Sequence, residues 1–274
     1  MRPSIVLLTF NSSDSLGATL ASIRGLSDDV HVVDSGSTDT TIEIAQAAGA
    51  QVTYHPFSNY GSQRNWAIDN LQLKYNWQLH LDADERLTDE LKNEILLLPE
   101  NPDCSGFFIG RFLQFLGRVL RHGGMSPTWH MRLFRSGEGT CESREYDQHF
   151  WCRGKTANLQ HSMIDDIRMP LSEWTSRHNR WADAEVREIL SDQKDGRIAG
   201  NLRGNLVERK RFLRGGYDRL PHFFRAFALF GYRYIIKLGF LDGIEGSIFW
   251  VLQTFWFRFL VDAKLYEHQK NTKV

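Results

Sequence analysis

The chain has 274 residues, 42% hydrophobic and 24% charged. That composition is globular and the length can bury a substantial core, which excludes a disordered, low-complexity or fibrous chain. Basic and acidic residues balance at 33 each, but residues 1–152 hold 12 basic and 19 acidic side chains whereas residues 153–274 hold 21 and 14. The first part therefore suits a bound cation and the second an anionic surface.

The N-terminal apolar run is about five residues long, far short of a signal-peptide core or of the roughly 20 residues of a membrane span, and reads as a first strand. Ser4–Thr9 is a β-branched, apolar run of the kind buried on both faces of a parallel sheet. Asn11, Ser12 and Ser13 offer N-cap oxygens to a helix with Leu16, Leu20 and Ile23 at helical spacing. Val30–Val33 is a second strand, a helix runs through Ile42, Ile44 and Ala45 to Gly49, and Gln51–Tyr54 is a third strand. This βαβαβ order predicts right-handed crossovers and a ligand site beyond the C-terminal strand ends. A helix over Gln63–Leu71 and a strand over Trp77–Leu81 follow. Three polar clusters then share one rim of the sheet: Thr9 to Asn11, Asp34 to Asp39, and Asp82 to Asp84.

Beyond Pro99 the pattern loosens, with strands expected at Gly106–Phe112 and Met131–Phe134 around a glycine-bearing loop. From about Leu171 the chain turns helical, with Trp174, His178, Trp181 and Ala182 on one face. Three cysteines, Cys104, Cys141 and Cys152, lack zinc-type spacing, and their odd number argues against a disulfide framework, so a reducing cytoplasm is expected.

Asp82 and Asp84, one residue apart at a strand end, can offer oxygen ligands to a hard cation held mainly by substrate phosphates, namely Mn2+ or Mg2+. The same spacing also arises as turn chemistry, with Glu85 favouring a helix start.

Four segments, TFN at 9–11, VVDSGSTDTT at 32–41, QRNWA at 63–67 and LDADE at 81–85, resemble in order the motifs of the family 2 glycosyltransferases. The resemblance implies an α/β, GT-A-type (Rossmann-like) nucleotide-sugar-binding domain, assigned to residues 1–165, and an inverting, metal-dependent reaction. It implies that Thr9 and Asp34 line the nucleoside pocket with Asn11 and Ser37 beside them, and that Arg64 lies near the diphosphate. Asp82 would approach the ribose or metal, and Asp84 the metal itself. Asp39 belongs to the same donor-binding set, although it and Asp34 can exchange with a capping role, and the alternative for Arg64 is a solvated helix charge.

The reaction needs a carboxylate base across the sugar from the leaving group. Relatives acting on lipopolysaccharide cores often carry a His-Glu pair near residues 142–150, where this chain reads ESREYDQHF. Asp147 is the first candidate and Glu145 the second, against the alternative of a charged surface loop. His149 is a candidate for metal or acceptor, or a packing residue. His161 either returns to the metal or has a structural role. Arg111, Arg132 and Arg135 are candidates to hold an anionic acceptor.

Residues 166–274 are expected to form a helical, basic and aromatic extension. Arg209, Lys210, Arg211 and Arg214 precede a series of aromatics from Phe223 to Phe259, and the longest uncharged stretch, 246–257, is too short to span a bilayer. An amphipathic helix lying in the membrane interface is expected, with packing on the catalytic domain or on a second copy as the alternative. No nucleic-acid motif accompanies the basic residues. The resulting expectation is a cytoplasmic enzyme, peripheral on the inner membrane face. It moves a hexose, glucose from its uridine diphosphate, to a lipid-linked saccharide. Two rivals are a sugar nucleotidyltransferase, for which a glycine-rich phosphate loop after the first strand is missing, and a non-catalytic membrane scaffold.

Overall fold

A computed structural model describes residues 1–142, 148–190, 201–203, 209, 212, 215–217 and 220–271. It falls into two compact units, one of Met1–Gln114, Pro127–Glu142 and Gln148–Arg168, the other of Phe115–Ser126 with the described residues from Met169 onward. Lys210, Arg211 and Arg214 lie outside the described residues.

In the first unit the strands and helices alternate as β1 (Ser4–Thr9), α1 (Ser13–Ser22), β2 (Val30–Asp34), α2 (Thr41–Ala47), β3 (Gln51–Tyr54), α3 (Tyr60–Asn70) and β4 (Trp77–Asp82). β1 pairs in parallel with β2 and with β4, and β2 with β3. The unbroken apolar runs follow from this placement: Ile5, Leu7, Leu79 and Leu81 are completely or almost completely buried, as strands covered on both faces require. β5 (Glu85–Leu87), α4 (Asp89–Leu97), β6 (Gly106–Phe115), β7 (Arg118–Val119), β8 (Thr128–Arg135), β9 (Gly139–Cys141), β10 (Phe150–Cys152) and β11 (Thr156–Ile167) come next in the chain, β7 falling in the segment assigned to the second unit. The main sheet has the order β3-β2-β1-β4-β8-β6-β11-β5, and β9 and β10 form a separate antiparallel pair. The sheet turns from parallel to antiparallel between β4 and β8, where Leu79 lies opposite Leu133.

The pairing puts three strand ends side by side. Thr9 stands opposite Asp34 and Leu8 opposite Asp82, so the three polar clusters lie on neighbouring strands about 5 Å apart. Glu85 opens a short strand and not the helix considered for it; α4 instead starts beyond Thr88, whose side chain accepts the Leu91 N–H.

The second unit contains α5 (Leu171–Leu190), α6 (Phe224–Gly231), α7 (Gly243–Trp250) and α8 (Phe257–Asn271), with π-helical turns at Tyr232–Ile236 and Val251–Trp256 and a 3-10 turn at Gly239–Asp242. Ala182 and Val186 of α5 pack against Phe257, Val261 and Leu265 of α8. Buried Arg225 is paired with buried Asp262. The aromatic series expected to lie in a membrane interface is divided: Phe249, Trp250 and Phe257 are core residues, whereas Phe224, Phe227 and Tyr232 face water. Among the described residues no helix is long and apolar enough to cross a membrane.

Candidate active site

The loops after β1 and β2 are built around one carboxylate. Asp34 is fully buried. Its Oδ1 accepts the N–H groups of Gly36 at 2.8 Å and Ser37 at 2.7 Å, and its Oδ2 accepts the hydroxyls of Thr9 at 2.8 Å and Ser37 at 2.5 Å. Burial alone would raise its pKa, but the Ser37 hydroxyl and amide, Thr9 and Gly36 outweigh it and hold Asp34 below the ordinary value. A carboxylate has about four acceptor positions, and here protein donors fill them all. Two of these donors, the Thr9 and Ser37 hydroxyls, are on side chains that can rotate.

Asn11 ties the two loops together. It takes a left-handed φ of 46°, which Asn tolerates better than most residues, donates its N–H to Ser37 Oγ at 2.8 Å and accepts the Thr38 N–H at 2.9 Å. The N-cap oxygens expected of Asn11, Ser12 and Ser13 are not used: Ser12 occupies the cap position without a side-chain capping bond. Asp39 serves both helices instead, accepting the N–H of Ser13 at 3.1 Å through Oδ2, and the N–H of Thr41 at 3.0 Å through Oδ1. Burial opposes ionisation of Asp39, but Thr41 and Ser13 bring its pKa down to about 2. Between Asp34 and Asp39, Asp39 therefore takes the capping role.

α3 supplies the next layer. Gln63 donates to Ser35 Oγ at 3.2 Å and to the His55 carbonyl at 3.1 Å, fastening the ends of β2 and β3. Arg64 is buried, lies 5.1 Å from the centroid of the Phe150 ring, and donates from Nη2 to both oxygens of Asp82 at 2.9 and 3.1 Å. It is thus not a solvated helix charge. Asn65 holds β9 through the N–H and carbonyl of Cys141.

Asp82 has a second partner, Arg132 of β8, at 2.8 Å, and Arg132 also donates to Glu85 at 2.5 Å. Glu85 is completely buried, accepts the Asp82 N–H at 3.0 Å, and is reached by Arg111 at 3.4 Å, which pairs in turn with Asp165 at 3.1 Å. Burial would raise the Asp82 pKa, but Arg132 and Arg64 hold it far below the ordinary carboxylate range. Burial also pushes neighbouring His80, helped by Arg64 and Arg132, down to about 3, so its ring stays neutral. Three guanidiniums (Arg64, Arg111, Arg132) face three carboxylates (Asp82, Glu85, Asp165), and the cluster has no net charge to spare.

Asp84 lies half-buried in the turn between β4 and β5, with its carbonyl accepting the Asp166 N–H at 3.0 Å. The register of β11 on β5 brings Asp165 opposite Glu85 and carries His161 further along the strand, where its ring meets Glu94 at 2.9 Å. His161 is therefore held on α4 and is not brought to Asp82 and Asp84. Asp166 is occupied by Arg86 at 2.9 Å and Arg168 at 2.7 Å. Among the described residues no three His, Cys, Asp or Glu side chains could hold a metal by themselves. The donor set still fits a hard cation of the Mg2+ or Mn2+ kind, which takes one or two carboxylates and completes its shell from substrate phosphate and water. Asp82 is turned into two guanidiniums, and Asp84 stands two residues on, in the turn between β4 and β5.

Asp147 and Glu145 lie outside the described residues. The ends of the segment that carries them are fixed: buried Glu142 donates its N–H to the His149 carbonyl at 3.0 Å and accepts the His149 N–H at 3.0 Å, and its carboxylate also faces the His149 ring at 3.3 Å. His149 stacks parallel to His130, with ring centroids 6.1 Å apart. Arg132 and Arg111, considered only for an anionic acceptor, belong to the Asp82 cluster, and Arg135 lies over Trp77. Arg132 as a partner of Asp82 was the main omission; its signal is a lone charge inside the apolar run MRLF.

The family model described as Glycosyl transferase family 2 matches residues 4–158, more than half of the chain, and the chain belongs to that family. An uncharacterised glycosyltransferase of Rickettsia conorii is 39% identical over 289 residues, covering 98% of this chain and 92% of its own. The lipopolysaccharide core biosynthesis glycosyltransferase LpsC of Rhizobium meliloti is 24% identical over 272 residues, covering 96% of this chain and 92% of its own. Among solved structures, S. aureus TarS 1-349 aligns with a TM-score of 0.45 and 12% identity, over 98% of this chain and 92% of that one. The chain is a glycosyltransferase with a GT-A-type α/β domain and a helical C-terminal region.

Proposed function

We propose that this glycosyltransferase moves a hexose, glucose from uridine diphosphate glucose, with inversion to a lipid-linked saccharide in the synthesis of bacterial lipopolysaccharide or related surface polysaccharide. The observation that carries the reading is the rim on which the Asp34 loop and the Arg64–Asp82–Arg132 cluster stand at adjacent strand ends. The name of the LpsC relative supports the class of acceptor.

In this reading the nucleoside lies against Thr9 and Asp34, the base N–H displacing the Ser37 hydroxyl from Oδ2. The diphosphate lies towards Arg64. Because the arginines there are already balanced by carboxylates, the charge of an arriving diphosphate needs a further cation, which supports Mn2+ or Mg2+ at Asp84 with Asp82 behind it. When bound, such an ion offsets the charge that develops on the departing diphosphate oxygen. Asp147, or failing it Glu145, takes the proton of the acceptor hydroxyl as that oxygen attacks the anomeric carbon opposite the leaving group. The buried Glu142 and His149 pair fixes both ends of the segment that presents this base. The C-terminal extension works at the inner surface of the membrane.

A thermal-shift panel of uridine, guanosine, thymidine and cytidine diphosphate sugars with manganese tests the donor. Uridine diphosphate sugars should raise the melting temperature most. A panel in which no nucleotide sugar changes it would overturn the reading.

A further inference from the structure

Within the second unit, the chain leaves the π-helical turn Tyr232–Ile236, passes Lys237 and Leu238, and enters the 3-10 turn before α7. Six large apolar side chains on this corner face water: Ile235 is 61%, Ile236 68%, Leu238 46%, Phe240 45%, Leu241 48% and Ile244 76% exposed. Scattered exposed apolar residues need no explanation, but six between residues 235 and 244 form a patch that does. Residues 235–238 are all exposed in succession.

The corner is nevertheless firmly built. Buried Asp242 accepts the N–H groups of Arg121 and His122, each at 3.0 Å, and faces His122 Nδ1 at 2.7 Å. Gly123 donates its N–H to the Lys237 carbonyl at 2.8 Å and accepts from Arg233 at 3.0 Å. The Trp250 indole fills the space over Gly123 and Gly239, where an added Cβ would stand 2.1 and 2.8 Å from ring atoms. Leu238 itself has a φ of 59°, a conformation that costs a branched side chain free energy and that glycine would adopt without strain.

Charge decides what such a patch meets. Lys237 and Arg121 are exposed, Arg118 is about half exposed, and Arg233 is half-buried beside them. The acids of the corner are already engaged, Asp242 with His122 and Glu245 with Arg118 at 3.7 Å.

We infer that this corner is a preformed wedge that inserts Ile235, Ile236, Leu238, Phe240, Leu241 and Ile244 into the headgroup boundary of an anionic bilayer, with Lys237 and the flanking arginines on the lipid phosphates. Aliphatic side chains ringed by cations have the chemistry of an interfacial anchor. The inference rests on the membrane association proposed above and specifies which residues enter the lipid.

Co-sedimentation of the full chain with vesicles tests it, using phosphatidylcholine alone and phosphatidylcholine with about one quarter phosphatidylglycerol. The unaltered chain should bind the anionic vesicles. Ile236→Asp with Ile244→Asp should lower the partition coefficient at least about tenfold, through loss of inserted apolar surface. Lys237→Glu should lower it at least about fivefold on anionic vesicles only. Both changes are at exposed positions, so circular dichroism and donor hydrolysis without vesicles should match the unaltered chain. If the unaltered chain binds no vesicles, the membrane reading fails along with the wedge. If it binds and the double variant binds equally well, only the wedge fails. A dimer in sedimentation equilibrium that the double variant dissolves would assign the patch to a second copy and overturn the wedge.

Discussion

Replacing Arg132 with methionine removes one charge from the centre of the site while nearly conserving side-chain volume. Glu85, completely buried, would then keep only the Asp82 N–H at 3.0 Å and the distant Arg111 at 3.4 Å. Asp82 would keep Arg64. Removing one partner of a buried ion pair leaves an uncompensated charge and costs about 3–5 kcal/mol. For a unit of this size each kcal/mol lowers the melting temperature by about 2–4 °C, so Arg132→Met should melt roughly 6–20 °C lower. The double change Arg132→Met with Glu85→Gln removes the stranded carboxylate and should recover more than half of the loss. Scanning calorimetry at neutral pH reads both. A single variant within about 2 °C of the unaltered chain would show that the cluster is solvent-screened like a surface pair, and a double variant as unstable as the single one would refute the stranded-charge reasoning.

Asp34→Asn substitutes an amide for an oxygen that accepts two hydroxyls and should weaken binding of a uridine diphosphate sugar at least about tenfold by calorimetry. Ser37→Ala vacates one acceptor position on the same oxygen and should change the affinity by less than about threefold; equal losses in the two variants would contradict the displacement of Ser37 by the base. In the second unit burial, despite the Trp174 carbonyl and Gln253 beside the ring, lowers the His178 pKa to about 4 from 6.5. The unfolded chain therefore binds a proton that the folded unit refuses. This contribution, about 3 kcal/mol, is complete above pH 6.5 and is lost as the pH falls towards 4. His178→Gln should flatten the slope of melting temperature between those values, and an unchanged slope would place the titration elsewhere.

The parallel half of the sheet was legible because its determinants are local. The runs SIVLLT and VHVVD, each ended by polar residues, state both the buried strand and the point where it meets solvent. In the antiparallel half the strands expected at Gly106–Phe112 and Met131–Phe134 are present within β6 and β8, but their partners were not legible, because pairing there is long-range. Arg132 reaches Asp82 only through the pairing of β4 with β8, fifty residues apart in sequence, and nothing near residue 132 announces the partner. β5 has three residues, too few for a periodicity, yet its register on β11 decides that Asp165 and not His161 comes to Glu85. The aromatic tail misled in a different way. Composition reports that Phe249, Trp250 and Phe257 are apolar but not that they turn inward, whereas the aliphatic corner around Ile236 carried no separate signal.

In the proposed reaction Asp84, in the turn after β4, holds a divalent cation against the donor diphosphate. Calorimetric titration of uridine diphosphate glucose, with manganese and then with a chelator, in the unaltered chain and in Asp84→Ala, decides whether it does. Affinity should fall at least about tenfold on chelation in the unaltered chain, and Asp84→Ala should bind weakly and equally in both conditions. Donor binding that ignores manganese in the unaltered chain, or that keeps its full manganese dependence without Asp84, would contradict the account.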